Sequence, residues 1–487
     1  MGLNHKAIVK IFSIACRIIG LSMIPSLIVA FIYGESKAAI SFIASIGIAV
    51  LISLPLSYIS RKADLRLFMR DGFLIVTMTW IISGLIGALP FIVSGSITDP
   101  FKAFFEACSG FSTTGSSIID NVEILPKSIL FWRSFTHWIG GMGIVVFAIA
   151  LLPSLGLNGQ TIAGVETPGP TLDKISPKMS DTAKSLYLTY SIFTVVQIVL
   201  LYLGGMNLFD SCVHSFGSMG TGGFSDYNLS IGHFHNAYID TIIIIFMLLS
   251  GASFNLHFKA IKYGPKVYTK DIELRTYLFI FLIASLIIMI DLKVSGTYSS
   301  LTEAADKVSF QVTSILTTTG YNNANYDLWP SLSKMVLFLL MFIGGCSCST
   351  GGGVKVIRII ILIQYIRRGI ALRLHPNAVV EVKINGRKVQ SETIGAIMTH
   401  VFLFSIVAAA GTLLVSFDNL DIVTSFTSVL SAIGNIGPAF CRAGPMSNYS
   451  VFSDFSLTVL SFLMVAGRLE LVTFFVLFTP RFWDPHH

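Results

Sequence analysis

Apolar runs long enough to cross a membrane recur along this chain, and they limit its fold more than any other feature. A helix needs about 20 residues to traverse the hydrocarbon core. The first run begins near Ile8 and continues to about Tyr33, and a second follows over residues 38–60. Only 12% of residues are charged, against roughly 25% in soluble domains. Backbone groups in lipid must be bonded within the segment, which favours helices, so the chain is expected to be an all-α polytopic membrane protein. The first run leads at once into another span, unlike a cleaved signal peptide, and is expected to be retained. The six cysteines lack zinc-type or CxxC spacing and read as reduced residues within helices.

The net charge of +7 might suggest a nucleic-acid partner, but the positions of the charges exclude that reading. Arg61, Lys62, Arg66 and Arg70 follow the second span, and Lys174, Lys178 and Lys184 form another group. Lys259, Lys262, Lys266, Lys270 and Arg275 make a third, and Arg358, Arg367, Arg368, Arg373, Lys383, Arg387 and Lys388 a fourth. Such clustering in short connections marks the cytoplasmic side. These loops are expected to meet membrane lipids or a protein partner.

Between the basic loops one pattern occurs four times: an apolar span, a half-length amphipathic stretch, a small polar motif, and another span. The copies read "FKAFFEACSGFSTTGSSI", "NLFDSCVHSFGSMGTGGFSDY", "KVSFQVTSILTTTGYNNANY" and "DIVTSFTSVLSAIGNIGPAF". Alignment puts Gly115, Gly223, Gly320 and Gly437 in register, preceded by Thr113-Thr114, Thr221-Gly222, Thr318-Thr319 and Asn435-Ile436. The period of about a hundred residues exceeds any solenoid unit. Each copy is therefore a membrane module with a re-entrant half-helix. Two preceding spans and two per module give ten full spans, with both termini and all the basic connections on the cytoplasmic side. The expected units are residues 1–70 (two helices), 71–182 (repeat 1), 183–272 (repeat 2), 273–390 (repeat 3) and 391–487 (repeat 4).

Non-helical backbone persists at membrane depth only when buried in protein or lining a water-filled cavity. Four such loops most economically surround one axis, where carbonyl oxygens can replace the water shell of a dehydrated cation. Turning carbonyls toward an axis calls for backbone angles that glycine tolerates and a Cβ opposes. The half-helices would aim their negative C-terminal ends at the ion path. Close helix packing through small residues explains one such motif, but it does not explain four in register.

On these motifs, and over essentially its full length, the chain resembles TrkH-type subunits of the Trk/Ktr/HKT superfamily of potassium transporters. The resemblance implies K⁺ permeation, a pseudo-fourfold pore in one chain, a homodimer in a bacterial inner membrane, and a TrkA-type cytosolic regulatory subunit that itself binds nucleotide. It implies no organic cofactor on this chain and no enzymatic activity. The filter positions become Thr113, Thr114, Gly115, Thr221, Gly222, Gly223, Thr318, Thr319, Gly320, Asn435, Ile436 and Gly437. Each copy keeps only the central glycine of the TVGYG pattern, and the fourth has Asn435-Ile436 in place of two threonines. Weaker discrimination among K⁺, Rb⁺ and Na⁺ than in a dedicated potassium channel is therefore expected.

A second signal is "GGCSCSTGGGVK" at 344–355, inside an apolar run from about Pro330 to Ile370. Glycine costs a helix roughly 1 kcal/mol relative to alanine, so Gly344, Gly345, Gly351, Gly352 and Gly353, with Ser347, Ser349 and Thr350 among them, should break the helix. TrkH-type proteins are similar in carrying an intramembrane gate here. A tight helix crossing is the competing explanation; a phosphate loop is excluded because no GK[ST] follows. Arg468 lies mid-span, where an arginine costs on the order of 2.5–3.5 kcal/mol. Glu470 is two residues away and on a different face, so Arg468 should reach carbonyls or the pore, or else a carboxylate on another helix. Loosening this gate is expected to raise flux and leave ion preference nearly intact.

Glu106 is expected to support the first filter loop through hydrogen bonds, and Trp138-Ile139-Gly140-Gly141 to serve helix packing. His137, His214 and His400 share no metal-ligand spacing. Two other readings remain: a sodium-coupled or sodium-permeable member of the superfamily, and an intramembrane hydrolase built on a buried serine and histidine. The hydrolase reading leaves the fourfold repeat unexplained.

Overall fold

The computed structural model describes residues 3–61, 63, 67–143 and 179–484. Lys62, Arg66, Lys174 and Lys178 of the basic groups lie outside these residues. The first span is bent: α1 (His5–Ser22) gives way to α2 (Ile24–Ile32) at Met23, where Pro25 cannot donate to the preceding turn. It packs on α3 (Ser36–Ile59), whose other side exposes Leu51, Leu54, Tyr58 and Ile59. Exposed apolar side chains on that scale mark a lipid-facing surface.

The four modules follow in order. Repeat 1 has α4 (Met69–Ser94), the half-helix α5 (Pro100–Phe111) and α6 (Lys127–Gly141). Repeat 2 has α7 (Met179–Leu203), the half-helix α8 (Leu208–Gly220), α9 (Ala237–Gly251) and α10 (Phe254–Tyr263). Repeat 3 has α11 (Ile272–Val294), the half-helix α12 (Leu301–Leu316), α13 (Ser331–Ile343) and α14 (Val356–Leu374). Repeat 4 has α15 (Ser391–Val415), the half-helix α16 (Ile422–Gly434), α17 (Asp454–Arg468) and α18 (Val472–Phe475).

Side-chain caps start three of the half-helices. Asp99 accepts from the Phe101 and Lys102 amides, Asn207 from Asp210, and Asp421 from Thr424. Each half-helix packs against the second helix of its own repeat and that of the repeat before it: α8 on α6, α12 on α9, α16 on α13 and, closing the circle, α5 on α17. Four modules thus enclose one axis, with every half-helix wedged between two neighbours.

Helix continuity departs from the ten full spans expected, with a break only in the second span of repeat 3. Among the described residues, six helical segments are long and apolar enough to cross a membrane without interruption, and two bent pairs bring the total to eight. In repeats 2, 3 and 4 the shortfall falls on the second member. A break was expected only in repeat 3, yet α9 and α10 meet at 95° and α17 turns by 113° into residues 472–478. The cause is local: α9 ends at Gly251, α13 at Gly344 and α17 one residue past Gly467. A Cβ on Gly467 would sit 2.1 Å from the Ile433 carbonyl oxygen, and one on Gly251 2.8 Å from Thr317 Cγ2. The second helices approach the half-helix ends through glycine and stop there. The only strands among the described residues are β1 (Lys383–Ile384) and β2 (Arg387–Lys388), a small hairpin turning at Asn385-Gly386, both with positive φ.

Candidate functional site

All four half-helices end in the same way. The amides of Thr114, Gly222, Thr319 and Ile436 donate to the carbonyls of Ser109, Gly217, Ser314 and Ser431 at 2.8–3.0 Å, a bond that requires a left-handed residue just before the donor. Those residues are Thr113, Thr221, Thr318 and Asn435, with φ of 58°, 54°, 58° and 53°. Asparagine accepts this conformation readily, but threonine is β-branched and resists it. Left-handed backbone costs a non-glycine residue on the order of 1–2 kcal/mol, and strain of this kind collects at functional sites. The sequence pattern located these threonines without revealing their conformation.

Two residues further on, Gly115, Gly223, Gly320 and Gly437 are again left-handed, at 83°, 77°, 82° and 104°. What surrounds them shows how the loops fit together. A Cβ on Gly115 would lie 1.9 Å from the Gly222 carbonyl oxygen, on Gly223 2.2 Å from Thr319 O, on Gly320 2.2 Å from Ile436 O, and on Gly437 2.7 Å from Thr114 O. Each glycine faces a carbonyl of the next repeat and the fourth faces the first. These contacts join eight of the twelve residues assigned from sequence into one ring of backbone, and the other four, Thr113, Thr221, Thr318 and Asn435, directly precede them in the chain. A cavity of about 170 Å³ borders it, lined by the four glycines together with Asp120, Tyr227, Asn322 and Asn448.

Behind the ring lie polar side chains that hold the outgoing chain. Glu106, fully buried, accepts from the Ile118 amide and Ser117 Oγ at 3.0 Å each and pairs with Arg133 at 2.7 Å. The supporting role expected of Glu106 is what the structure shows. Arg133 escaped the sequence reading; it also donates to the Ser225 carbonyl of repeat 2 and covers the Phe224 ring, 4.2 Å from its centre. At the positions equivalent to Glu106, His214 Nε2 lies 3.0 Å from Ser225 Oγ and Gln311 donates to the Ala324 carbonyl at 3.2 Å. That serine–histidine contact is the one a hydrolase would need. Its other nitrogen, however, faces the Asp210 carbonyl, and both partners are buried as loop supports.

The segment 344–355 lies against the ring on the side of the half-helix ends, at Thr318 and Gly434. Gly344 and Gly353 have φ of 77° and 72° and touch one another, closing the loop at its neck. The Cys346 amide donates to Gly251 O at 2.8 Å, Thr350 Oγ1 to Ser250 O at 3.2 Å, and the Gly352 amide to Thr318 Oγ1 at 2.7 Å. A Cβ on Gly352 would be 2.1 Å from the Gly434 carbonyl oxygen, and one on Gly351 2.9 Å from Thr317 O. Glu273, also missed from sequence, takes the Ser347 amide and hydroxyl at 2.6 Å each. Gly345 and Ser349 belong to the same knot: Ser349 Oγ bonds Cys346 O, and Gly345 O takes the Val356 amide.

Arg468 reaches carbonyls, as one of its alternatives required. It donates to Thr350 O in the loop at 2.5 Å and to Gly140 O and Gly141 O at 2.8 and 2.5 Å. It thereby bridges the loop of repeat 3 to the end of α6 in repeat 1. The Gly140-Gly141 pair packs closely, as expected, with Gly140 against Phe111 O, and it supplies these acceptors as well. Glu470 pairs with Arg358, and Lys355 bonds the Gly351 carbonyl. The Gly352–Thr318 bond joins the loop directly to the ring.

The family described as TrkH, a cation transport protein, matches residues 40–484. The chain is 37% identical to the Trk system potassium uptake protein TrkH of Escherichia coli K12 over 99% of this chain and 100% of that one. It is 34% identical to the protein of the same name from Vibrio parahaemolyticus, with the same coverage, and 30% identical to TrkI of Halomonas elongata over 98% and 96%. The crystal structure of the potassium transporter TrkH from Vibrio parahaemolyticus superposes with a TM-score of 0.89 at 33% identity, covering 99% of this chain and 100% of that one.

Proposed function

The chain belongs to the TrkH family of cation transport proteins and takes up potassium; we propose that the ion crosses through the ring at Gly115, Gly223, Gly320 and Gly437 and that segment 344–353, pinned by Arg468, is the closed gate beneath it. It is a transporter and not an enzyme. The observation that carries the proposal is the cyclic contact of each glycine with a carbonyl of the next repeat. A ring of inward carbonyls is what a dehydrated cation needs in place of water, and the half-helix C-termini add negative potential.

The gate works by obstruction and by charge. Arg468 places a fixed positive charge on the exit path, and two unit charges 4 Å apart repel by about 4 kcal/mol at an effective dielectric of 20. Flux requires the loop and the arginine to move aside. A TrkA-type cytosolic subunit that binds the open and closed states with different affinity would supply that shift. The basic connections face the cytoplasm, both termini lie inside, and the protein is a homodimer in a bacterial inner membrane. Cation uptake into proteoliposomes, with K⁺ and Na⁺ in competition, tests the ring: Gly320→Ser should erase most of the preference for K⁺. An unchanged preference in serine variants of all four glycines would refute this assignment.

A further inference from the structure

The ring is not fourfold at its glycine level. The Gly437 carbonyl accepts from Ser116 Oγ at 2.9 Å, Ser431 Oγ at 2.9 Å and Tyr449 Oη at 2.8 Å. Among the described residues the Gly320 carbonyl has one long bond, from Asn322 at 3.4 Å, and those of Gly115 and Gly223 accept none. A peptide oxygen has two lone pairs, so three hydroxyl donors leave nothing on Gly437 O for an ion. Two further observations set this position apart: φ at Gly437 is 104° where the other three are 77–83°, and a Cβ placed on it would stand 2.7 Å from the next carbonyl oxygen, against 1.9–2.2 Å at the other three. The donors are built in. Tyr449 is 2% exposed, its amide bonds Ser117 O at 2.8 Å, and its ring lies against Phe105 and Phe452.

We infer that Tyr449, Ser116 and Ser431 are specificity-determining positioning residues, which hold the Gly437 carbonyl out of the ion's coordination shell and leave the glycine layer three-sided. This rests on the loops being the filter. An ion at that layer keeps water on its fourth side, and water suits the smaller, more strongly hydrated Na⁺ better than a fourth carbonyl does. The three hydroxyls therefore limit how well the transporter rejects Na⁺.

The test is K⁺ over Na⁺ preference in proteoliposomes for Tyr449→Phe, Ser431→Ala, the triple variant Ser116→Ala/Ser431→Ala/Tyr449→Phe, Ser431→Thr, and Gly320→Ser. Removing hydrogen bonds of ordinary strength should raise the preference roughly threefold or more in the triple variant, with a smaller rise in each single one. Ser431→Thr, which keeps a hydroxyl, should match the parent; a rise equal to that of Ser431→Ala overturns the inference. Tyr449→Phe keeps the ring packing and decides the matter if the triple variant does not fold. An unchanged or lower preference in the folded variants overturns the inference. If Gly320→Ser still shifts the preference in that case, the filter assignment survives and only the role of the hydroxyls fails; if Gly320→Ser is also silent, both fall.

Discussion

At Gly115 a single added carbon would stand 1.9 Å from the Gly222 carbonyl oxygen, whereas at Gly437 it would stand 2.7 Å from Thr114 O. Both positions have positive φ, so alanine is strained at either, and both drive a methyl against a backbone carbonyl, the first more deeply than the second. Alanine at 115 should therefore abolish selective uptake, while alanine at 437 retains a measurable fraction; equal loss in competitive Rb⁺ and Na⁺ uptake assays would contradict the grading. Behind the ring, Glu106 and Arg133 are 0% and 2% exposed at their side chains. Removing one member of a buried pair costs about 3–5 kcal/mol because the other charge is left uncompensated. Glu106→Ala and Glu106→Gln both lose the charge that faces Arg133, but Gln keeps an acceptor for the Ile118 amide, so both should lower the melting temperature in detergent and Ala should lower it further. Matching melting temperatures for the two would mean that the hydrogen bonds from residue 106 to the outgoing loop do no bracing.

Among the elements, the segment proposed as the gate is held from three sides: by Glu273 on α11, by Arg468 on α17, and by the carbonyls of Ser250 and Gly251 at the end of α9. Arg468→Ala removes the bridge to Gly140 and Gly141 and should raise potassium flux in protein without its cytosolic partner, leaving ion preference close to the parent. Deletion within 351–353 should also raise flux, but it takes the Gly352 amide from Thr318 Oγ1 and should change preference as well. If both variants conduct no faster than the parent when correctly inserted, the loop is packing rather than gate. How much of this was legible in the sequence follows from what each feature depends on. The half-helices, their glycines and the glycine-rich break showed themselves because composition reports directly on helix length and backbone freedom. The left-handed threonines did not, since no residue preference signals a conformation imposed by a neighbouring ring. Arg133 and Glu273 were hidden for a related reason: Glu273 opens α11 and Arg133 lies midway along α6, and at either place a lone charge reads as an ordinary solvated residue until tertiary packing buries it. The breaks in α9 and α17 were missed because a lone Gly251 or Gly467 within an apolar run is also what close packing produces.

Over the whole molecule, charge separates from filter. The ring cavity opens toward Asp120, Asn228 and Asn448, and Glu123 and Ile124 are exposed in the same stretch of chain. Lys262, Lys266 and Arg373, from the basic connections, are exposed in segments that follow the C-terminal ends of α9 and α13. Clustered lysines and arginines are disfavoured for translocation, so the two sets should lie on opposite sides of the membrane, the basic set inside. Single cysteines make this measurable with a membrane-impermeant maleimide on intact cells. Cys441 is exposed on the filter side and would itself react, so the parent should be Cys441→Ser. In that background Glu123→Cys should label from outside, while Lys266→Cys and Arg373→Cys should label only after permeabilisation. The sites lie in repeats 1, 2 and 3, so the outcome tests three modules at once: a common orientation requires all of them to follow one rule. Outside labelling at residue 266 or 373 would invert the chain, turn the gate segment toward the exterior, and remove the surface on which a cytosolic subunit could act.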